Sequence, residues 1–278
     1  MKSRLWLTLL VAGLLALVIG MFVQPQHRFG GAISRSRHKP PLVNEKRTIA
    51  PASPQRRRAG TQIAIIIDDC GQAIDIERAM IALPIPLTLA VLPSAPYTKT
   101  IEREAAAAHK GIMLHLPMES LAHLNPGPGK ITTEMPNDQI ASQVRDDLRD
   151  VPLASGINNH EGSEATADLR VMRAVMGVAA TEHRFFIDSR TTLKTTVVRA
   201  AREAGVQNAS RNVFLDNEAD PAYVDGMLRR TAAIGKRDGT AIAIGHPRPA
   251  TLSALRSMIA PLQAAGVEFT LAANLLHR

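Results

Sequence analysis

The residues of this chain that could do chemistry follow a series of apolar segments, and two adjacent carboxylates head the series. Asp68 and Asp69 come directly after the run Ile65–Ile67, which is typical of a buried strand in a parallel sheet. Adjacent carboxylates repel each other, so we expect one of them to bind a cation or to have a shifted pKa. Other apolar segments also end at polar or metal-capable residues: His115, Asn158-Asn159-His160, Asp188, Asp216 and His246.

The residues at these segment ends offer ligands for a divalent metal. Asp69, His115 and His160 supply one carboxylate and two imidazoles, a set that suits Zn²⁺ with one position left open for water. We predict zinc as the metal, and Asp68 as the general base that acts on that water. Glu119, four residues after His115, could reach the same metal, bind the substrate, or remain an exposed loop acid. Each histidine could instead be a hydrogen-bonded structural residue.

Two further segment ends predict supporting roles. His246 stands between Gly245 and Pro247, and this stiff backbone suits a general acid that protonates a leaving group. Asp188 could orient a histidine and Arg190 could bind an anion; alternatively, the two form a buried pair that organises their loop. The other histidines lie in a linker, at helix ends or at the terminus, and we assign them no function: His27, His38, His109, His123, His183 and His277.

Strand-like and helix-like segments alternate from residue 61 onward and must position these side chains. Apolar runs predict strands at 62–67, 87–92, 112–115, 153–158, 185–188, 241–245 and 267–271, with short extended pieces at 206–208 and 213–215. The segments between them predict helices, and Asn137 could cap the helix that runs to Arg149. Such alternation predicts an α/β fold with parallel strands. About seven strand–helix units favour a distorted (β/α) barrel, with the chemistry at the carboxyl ends of the strands.

The first 60 residues differ in composition from the rest. Lys2 and Arg4 precede Leu5–Val23, an apolar run long enough to span a bilayer. We predict a signal anchor at 1–23 (or a signal peptide, if it is cleaved), a basic disordered linker at 24–60 and a catalytic domain at 61–278. The protein would then be exported and held in the inner membrane facing the periplasm, or be periplasmic if the signal is removed.

The distribution of charge argues against nucleic acid as a partner. The net charge of +8 arises in the first 60 residues, which hold 11 basic residues and one acid, whereas the remaining 22 basic and 24 acidic residues balance to −2. With 3% aromatic residues, the domain lacks the basic and aromatic interleaving of a nucleic-acid-binding surface. The single cysteine, Cys70, excludes an internal disulfide. No Gly-x-Ser-x-Gly, P-loop or Gly-x-Gly-x-x-Gly motif is present.

Five motifs, taken in order, resemble those of a known family. They are Ile-Ile-Asp-Asp-Cys-Gly at 66–71, His-Leu-Pro-Met-Glu at 115–119, Gly-Ile-Asn-Asn-His-Glu-Gly-Ser at 156–163, Phe-Ile-Asp-Ser-Arg-Thr at 186–191 and Ile-Gly-His-Pro at 244–247. Together they resemble the divergent polysaccharide deacetylases, a branch of the NodB-homology carbohydrate esterases, from about Gln62 to Leu275. The resemblance implies a distorted (β/α) barrel of NodB-homology type and a metal-dependent, N- or O-deacetylase-like site.

The resemblance also implies roles for individual residues. Asp68 matches the family's base and Asp69 matches a metal ligand. His115 matches the first of two metal-binding histidines, but Glu119 stands at the position of the second, and His160 lies where relatives carry an Arg-Pro motif. The metal set is therefore Asp69/His115/His160 or Asp69/His115/Glu119, of which the first keeps two imidazoles. The predicted substrate-binding or supporting residues are Glu119, Asn159, Ser163, Asp188 and Arg190.

Two functions follow as hypotheses. The first is a metal-dependent hydrolase that deacetylates a cell-envelope polysaccharide, with Asp68 as base and His246, which matches the family's final motif, as acid. The second is a catalytically inactive protein of the same fold that binds a glycan or an envelope partner in the same pocket. A hydrolase of another ester type is a weaker third hypothesis. Metal content and acetate release distinguish the first two.

Overall fold

The structure, a computed structural model, describes residues 60–277, which form one sheet and the helices packed on it. The predicted membrane segment at 1–23 and all but the last residue of the predicted linker lie outside the described residues, so both stay predictions. Within residues 60–277, no helix has the length and apolarity needed to cross a bilayer.

Strands and helices alternate along the described residues, as the sequence predicts. The strands are β1 (Thr61–Cys70), β2 (Thr88–Val91), β3 (Gly111–Met118), β4 (Gly156–Glu161), β5 (Phe185–Asp188), β6 (Asn208–Ser210), β7 (Val213–Phe214), β8 (Thr240–Gly245) and β9 (Val267–Thr270). The α-helices are α1 (Ile74–Ile81), α2 (Thr98–Ala107), α3 (Asn137–Asp150), α4 (Leu169–Thr181), α5 (Val197–Ala204), α6 (Pro221–Asp238) and α7 (Pro249–Ala264). Two short 3₁₀ helices span Ala165–Ala167 and Ala272–Leu275.

The strands pair in parallel in a single curved sheet. Their order is β6-β5-β4-β3-β2-β1-β8-β7, and β9 pairs with Thr61–Ala64 at the start of β1. Within the described residues β6 and β7 do not pair with each other, so the barrel stays open between them. The predicted α/β fold with a distorted parallel barrel is confirmed. The described part has nine strands rather than about seven because the two short extended pieces pair as β6 and β7.

Alternation along the strands separates two apolar cores. In β1, Ile63, Ile65 and Ile67 belong to a large cluster that the helices share, whereas Ala64 and Ile66 belong to a second cluster. No residue of α1–α7 takes part in the second cluster, so it fills the inside of the curved sheet. Successive residues of a strand face opposite sides. Residues two positions beyond these inward-facing side chains therefore look into the barrel at its carboxyl end.

Local boundaries differ from the prediction at three strands that carry site residues. β1 continues past Ile67 to Cys70, β3 continues past His115 to Met118, and β4 begins at Gly156 rather than at Leu153. Residues 151–154 form a turn instead, closed by a hydrogen bond from Ala154 N to Val151 O. The predicted cap of α3 also differs: Asn137 is the first helical residue, and its side chain accepts a hydrogen bond from Arg170.

Candidate active site and metal centre

A β-bulge in β1 turns both carboxylates of the Asp68-Asp69 pair toward one pocket. β1 and β2 pair in register up to Ile67, but the following pair joins Cys70 to Val91, so that β1 carries one residue more than β2. At the bulge Asp69 takes a left-handed backbone conformation with a φ of 57°. Neighbouring side chains of a regular strand point to opposite faces, and the extra residue reverses this for Asp69. Both carboxylates consequently line the same pocket.

Three side chains beside the bulge each bring one ligand atom to a common point. Asp69 Oδ1 lies 2.8 Å from His160 Nδ1 and 3.1 Å from His115 Nε2, and the two nitrogens are 3.1 Å apart. Donors of a tetrahedral zinc ion, with bonds of about 2.0–2.1 Å, stand roughly 3.3 Å apart. Asp69 Oδ1 is also buried and accepts no well-aligned hydrogen bond from the described residues. The donor set therefore fits a divalent cation.

Asn158, which is fully buried, connects this donor set to Asp68. Its Nδ2 donates to Asp68 Oδ1 at 2.8 Å, and its Oδ1 accepts from His115 Nδ1, also at 2.8 Å. Because the amide nitrogen must face the carboxylate, the amide oxygen faces His115, and we assign the hydrogen of that imidazole to Nδ1. The Nε2 of neutral His115 then presents a free lone pair toward Asp69 and His160, which is the state that a metal ligand requires.

Burial and neighbouring charges move the pKa values of the two adjacent acids apart. Burial raises the pKa of Asp68 above its ordinary value, although His115 and Asn158 act in the opposite direction. Burial acts to raise the pKa of Asp69 too, but its contacts with His115 and His160 outweigh this and hold it far below the ordinary value. Burial would lower the pKa of His115, yet the charge of Asp68 and the contact with Asp69 raise it to about 8. Asp68 is thus the acid that takes up a proton more readily.

At the carboxyl ends of β7 and β8, Asp216 holds His246 beside the Asp68-Asp69 pair. The backbone N and the ring Nδ1 of His246 approach the two carboxylate oxygens of Asp216 at 2.8 and 3.0 Å, and the Thr251 hydroxyl donates to one of them at 2.8 Å. Burial acts to raise the pKa of Asp216, but these hydrogen bonds lower it. The ionised carboxylate orients Nδ1–H toward itself, so Nε2 faces the pocket, 3.7 Å from Asp69 Oδ2.

The pocket has a volume of about 370 Å³. Its lining includes the donor set, Asp68 and the Asp216–His246 pair. Asn159 also lines the pocket and accepts a hydrogen bond from Ser189 N at 2.9 Å. A cavity of this size admits a small ligand or one unit of a larger one.

Four of the five predicted supporting residues do not line this pocket: Glu119, Ser163, Asp188 and Arg190. The carboxylate of Glu119 turns toward the loop before α3, where it accepts hydrogen bonds from the backbone N–H and the hydroxyl of Thr133 at 2.8 and 2.9 Å. The hydroxyl of Ser163 accepts from Leu121 N at 3.0 Å. The structure therefore brings His160, and not Glu119, to Asp69 and His115.

Asp188 and Arg190 organise a loop rather than contact a histidine. Asp188 lies two positions after Phe186, which belongs to the outer cluster, so its carboxylate faces away from the barrel interior. It accepts hydrogen bonds from Arg190 N at 2.8 Å and from the Thr195 hydroxyl at 3.0 Å, and burial raises its pKa. Arg190 is exposed and does not line the pocket. The predicted alternative, a buried pair of the two side chains, is met only in that Asp188 organises the loop, because its bond is to the backbone N–H of Arg190.

Sequence reasoning gave no role to Asn158 or Asp216, although both stand at predicted strand ends. A signal for Asn158 was present, because it lies two residues before His160 and must share its side of the strand. Asp216 gave no such signal. Its partner His246 lies 30 residues further along the chain, and only the pairing of β7 with β8 brings the two together.

Comparison with known proteins identifies a family match over most of the domain. The sequence model of the family described as divergent polysaccharide deacetylase matches residues 65–276. An uncharacterized protein from Haemophilus influenzae is 35% identical over 199 residues, which are 72% of this chain and 71% of that protein.

Solved structures resemble the fold of this chain. An uncharacterized protein from Agrobacterium tumefaciens C58 superposes with a TM-score of 0.75 at 20% identity, over 78% of this chain and 89% of that one. A CE4 family pseudoenzyme from Bacillus anthracis superposes with a TM-score of 0.50 at 14% identity, over 78% of this chain and 65% of that one. At such identities the likeness concerns the fold alone.

Proposed function

Because the chain belongs to the divergent polysaccharide deacetylase family, we propose that it is a metal-dependent hydrolase that removes acetyl groups from a cell-envelope polysaccharide. The observation that supports this proposal most directly is the triangle of Asp69 Oδ1, His115 Nε2 and His160 Nδ1 beside a buried carboxylate. Two imidazoles and one carboxylate favour Zn²⁺ among the divalent ions. When bound, the cation would acidify a water molecule and stabilise the negative charge that develops on the acetyl oxygen.

Asp68 acts as the general base in this proposal. Asn158 occupies its Oδ1, which leaves Oδ2 to accept a proton, and Oδ2 lies 3.6 Å from His115 Nε2, next to the donor set. Its raised pKa brings Asp68 nearer to neutral pH, where a base of this kind works best. Asp69, held ionised, stays available as a ligand.

His246 acts as the general acid on the other side of the substrate. Asp216 fixes its Nδ1–H, so a proton on Nε2 points into the pocket and can pass to the departing amine or alcohol. The reaction cleaves the bond between the acetyl carbonyl carbon and that amine or alcohol, and water supplies the hydroxyl of the released acetate. Asp68 accepts one proton and His246 donates one, so the total number of protons on the enzyme is unchanged over the reaction.

Export is a separate part of the proposal and depends on residues 1–23. An apolar segment preceded by Lys2 and Arg4 would hold the domain on the periplasmic side of the inner membrane, where an acetylated polysaccharide is accessible. Protease added to intact spheroplasts should degrade the domain of the full-length chain. Protection until the membrane is lysed would contradict export.

The enzymatic proposal is tested by metal content and acetate release on acetylated glycan oligomers. The full-length chain should retain one zinc ion at Asp69, His115 and His160 and release acetate, and Asp69→Asn should lose both. Asp75→Asn, which removes a carboxylate exposed at the start of α1, is the matched control and should behave as the wild type. Full acetate release by Asp69→Asn would refute the mechanism.

The alternative is a catalytically inactive protein that binds a glycan in the same pocket. It is favoured by Glu119, which stands at the position of the second metal-binding histidine in the enzymes that this sequence resembles. Its carboxylate accepts a hydrogen bond from Thr133 instead. This alternative predicts glycan binding by the wild type without retained metal and without acetate release. Retained metal together with acetate release would exclude it.

A further inference from the structure

A second group of metal-capable side chains lies outside the pocket described above. Glu119 follows β3, His123 lies in the long loop between β3 and α3, and Glu164 stands just before the first 3₁₀ helix. One ligand atom from each of these residues lies within 4.8 Å of the others. None of the three lines the active-site pocket or contributes to the first donor set.

Backbone hydrogen bonds hold these three residues together. The N–H groups of Glu164 and Ala165 both donate to Glu119 O, at 3.2 and 3.1 Å, which fixes the turn after β4 against the end of β3. His123 N donates to Ser120 O at 2.8 Å, and His123 has a left-handed backbone conformation with a φ of 51°. The imidazole is thus brought toward the two carboxylates by a tight turn.

One carboxylate oxygen of this group has no hydrogen-bond partner among the described residues. Glu119 Oε2 accepts from Thr133, but Glu164 Oε2 is buried and has no hydrogen-bond partner in the described part of the chain. No ion pair joins His123 to either carboxylate there. A buried carboxylate oxygen close to a second carboxylate is costly unless a cation lies between them.

We propose that Glu119, His123 and Glu164 bind a second divalent cation, and that this cation fastens the loop between β3 and α3. One imidazole and two carboxylates form a mixed nitrogen and oxygen set, which suits Zn²⁺ better than Ca²⁺ with its preference for oxygen ligands. Residues 125–128 of the same loop form a wall of a second cavity of about 300 Å³, which His160 also lines. The second cation would therefore keep in place a surface that extends the active-site pocket, without itself taking part in the chemistry.

The test counts zinc ions on the purified full-length chain after equilibration with a zinc buffer. We expect two ions per chain in the wild type, and one in His123→Asn and in Glu164→Gln. Asparagine is chosen for His123 because it tolerates the left-handed backbone. His183→Asn is the matched control, since His183 is also exposed and has a φ of 53°, and it should keep both ions. Asp69→Asn should lose the other ion.

A second measurement follows the loop itself. Lys130 is the only trypsin site between residues 119 and 136, and zinc should slow cleavage after Lys130 in the wild type and in Asp69→Asn, but not in His123→Asn. A single ion that is lost from Asp69→Asn and kept by His123→Asn would overturn the second site and leave the proposed function standing. A single ion with the reverse pattern would support the second site and remove the support for the first. No retained zinc would overturn both.

Discussion

Replacement of Asn158 by aspartate should separate metal binding from catalysis in this site. The side chains have the same shape, so packing is preserved, but the change puts a carboxylate oxygen where Asn158 Nδ2 donates to Asp68 Oδ1 at 2.8 Å. At an effective dielectric constant of about 20, two unit charges at that distance repel by about 6 kcal/mol. The doubly ionised pair would become about four orders of magnitude rarer. The two acids must then share a proton at neutral pH.

The shared proton should reside mainly on Asp68. The new carboxylate still accepts the hydrogen of His115 Nδ1, which favours its ionised form and strengthens Nε2 as a metal ligand. We therefore expect Asn158→Asp to keep the zinc ion of the Asp69 site, whereas kcat/KM for acetate release falls by at least about 100-fold because the general base is lost.

Zinc content and initial rates of acetate release, measured on the same preparation, decide the outcome. Asn212→Asp is the matched control, because Asn212 is exposed and its Oδ1 accepts from Ile242 N, a bond that aspartate preserves. Wild-type rates in Asn158→Asp would refute the role of Asp68 as base. Loss of zinc in this variant would show instead that Asn158 mainly orients the metal ligands Asp69, His115 and His160.

Three further changes test other parts of the structure. Asp216→Asn removes the charge that orients His246, so kcat should fall by about 100-fold or more with zinc content unchanged; an unchanged kcat would contradict the acid role. Burial raises the pKa of Asp147 to about 7, so this carboxyl keeps its proton in the folded protein at pH values where the unfolded chain has lost it. The protein therefore loses about 4 kcal/mol of stability through this group as the pH rises from about 4 to 7. Urea unfolding at several pH values should show that Asp147→Asn lacks this loss. The same pH dependence of stability in Asp147→Asn and in the wild type would refute this role of Asp147. Glu77 accepts hydrogen bonds from three backbone N–H groups of residues 71–73, so Glu77→Gln should lower the free energy of unfolding by about 3 kcal/mol; urea titration showing no change would contradict this.

The alternation of strands and helices could be predicted from sequence because parallel strands buried on both faces are apolar over their whole length. Ile63–Ile67 and Ala241–Ile244 are such runs, and each is followed by a side chain that can do chemistry. The alternation of side chains between the two faces of a strand explains why His115, His160 and His246 face the barrel while Asp188 faces the helices. Assigning each side chain to a face requires the strand boundaries, and β4 begins three residues later than predicted.

The bulge in β1 and the partners of the histidines could not be predicted in this way. A regular strand would place Asp68 and Asp69 on opposite faces, and only the observed pairing of β1 with β2 reveals the extra residue. The hydrogen bonds of Asn158 and Asp216 join residues far apart in sequence. The role of Glu119 could not be predicted for a related reason, since the direction of its side chain depends on hydrogen bonds from Thr133 in the loop before α3.

The pairing of β1 also has a consequence for biosynthesis. This strand is the first of the domain to be made, yet one edge pairs with β8 over Gln62–Ile67 and the other pairs with β9 over Thr61–Ala64, and β8 and β9 are the last strands to be made. At a translation rate of about 5–20 residues per second, β1 waits roughly 10–40 s for these partners. During that time the run Ile63–Ile67 stays unpaired along an edge, and such a segment is a target for chaperones and for aggregation. The strand that supplies both acids is therefore the one that depends most on protection of the nascent chain.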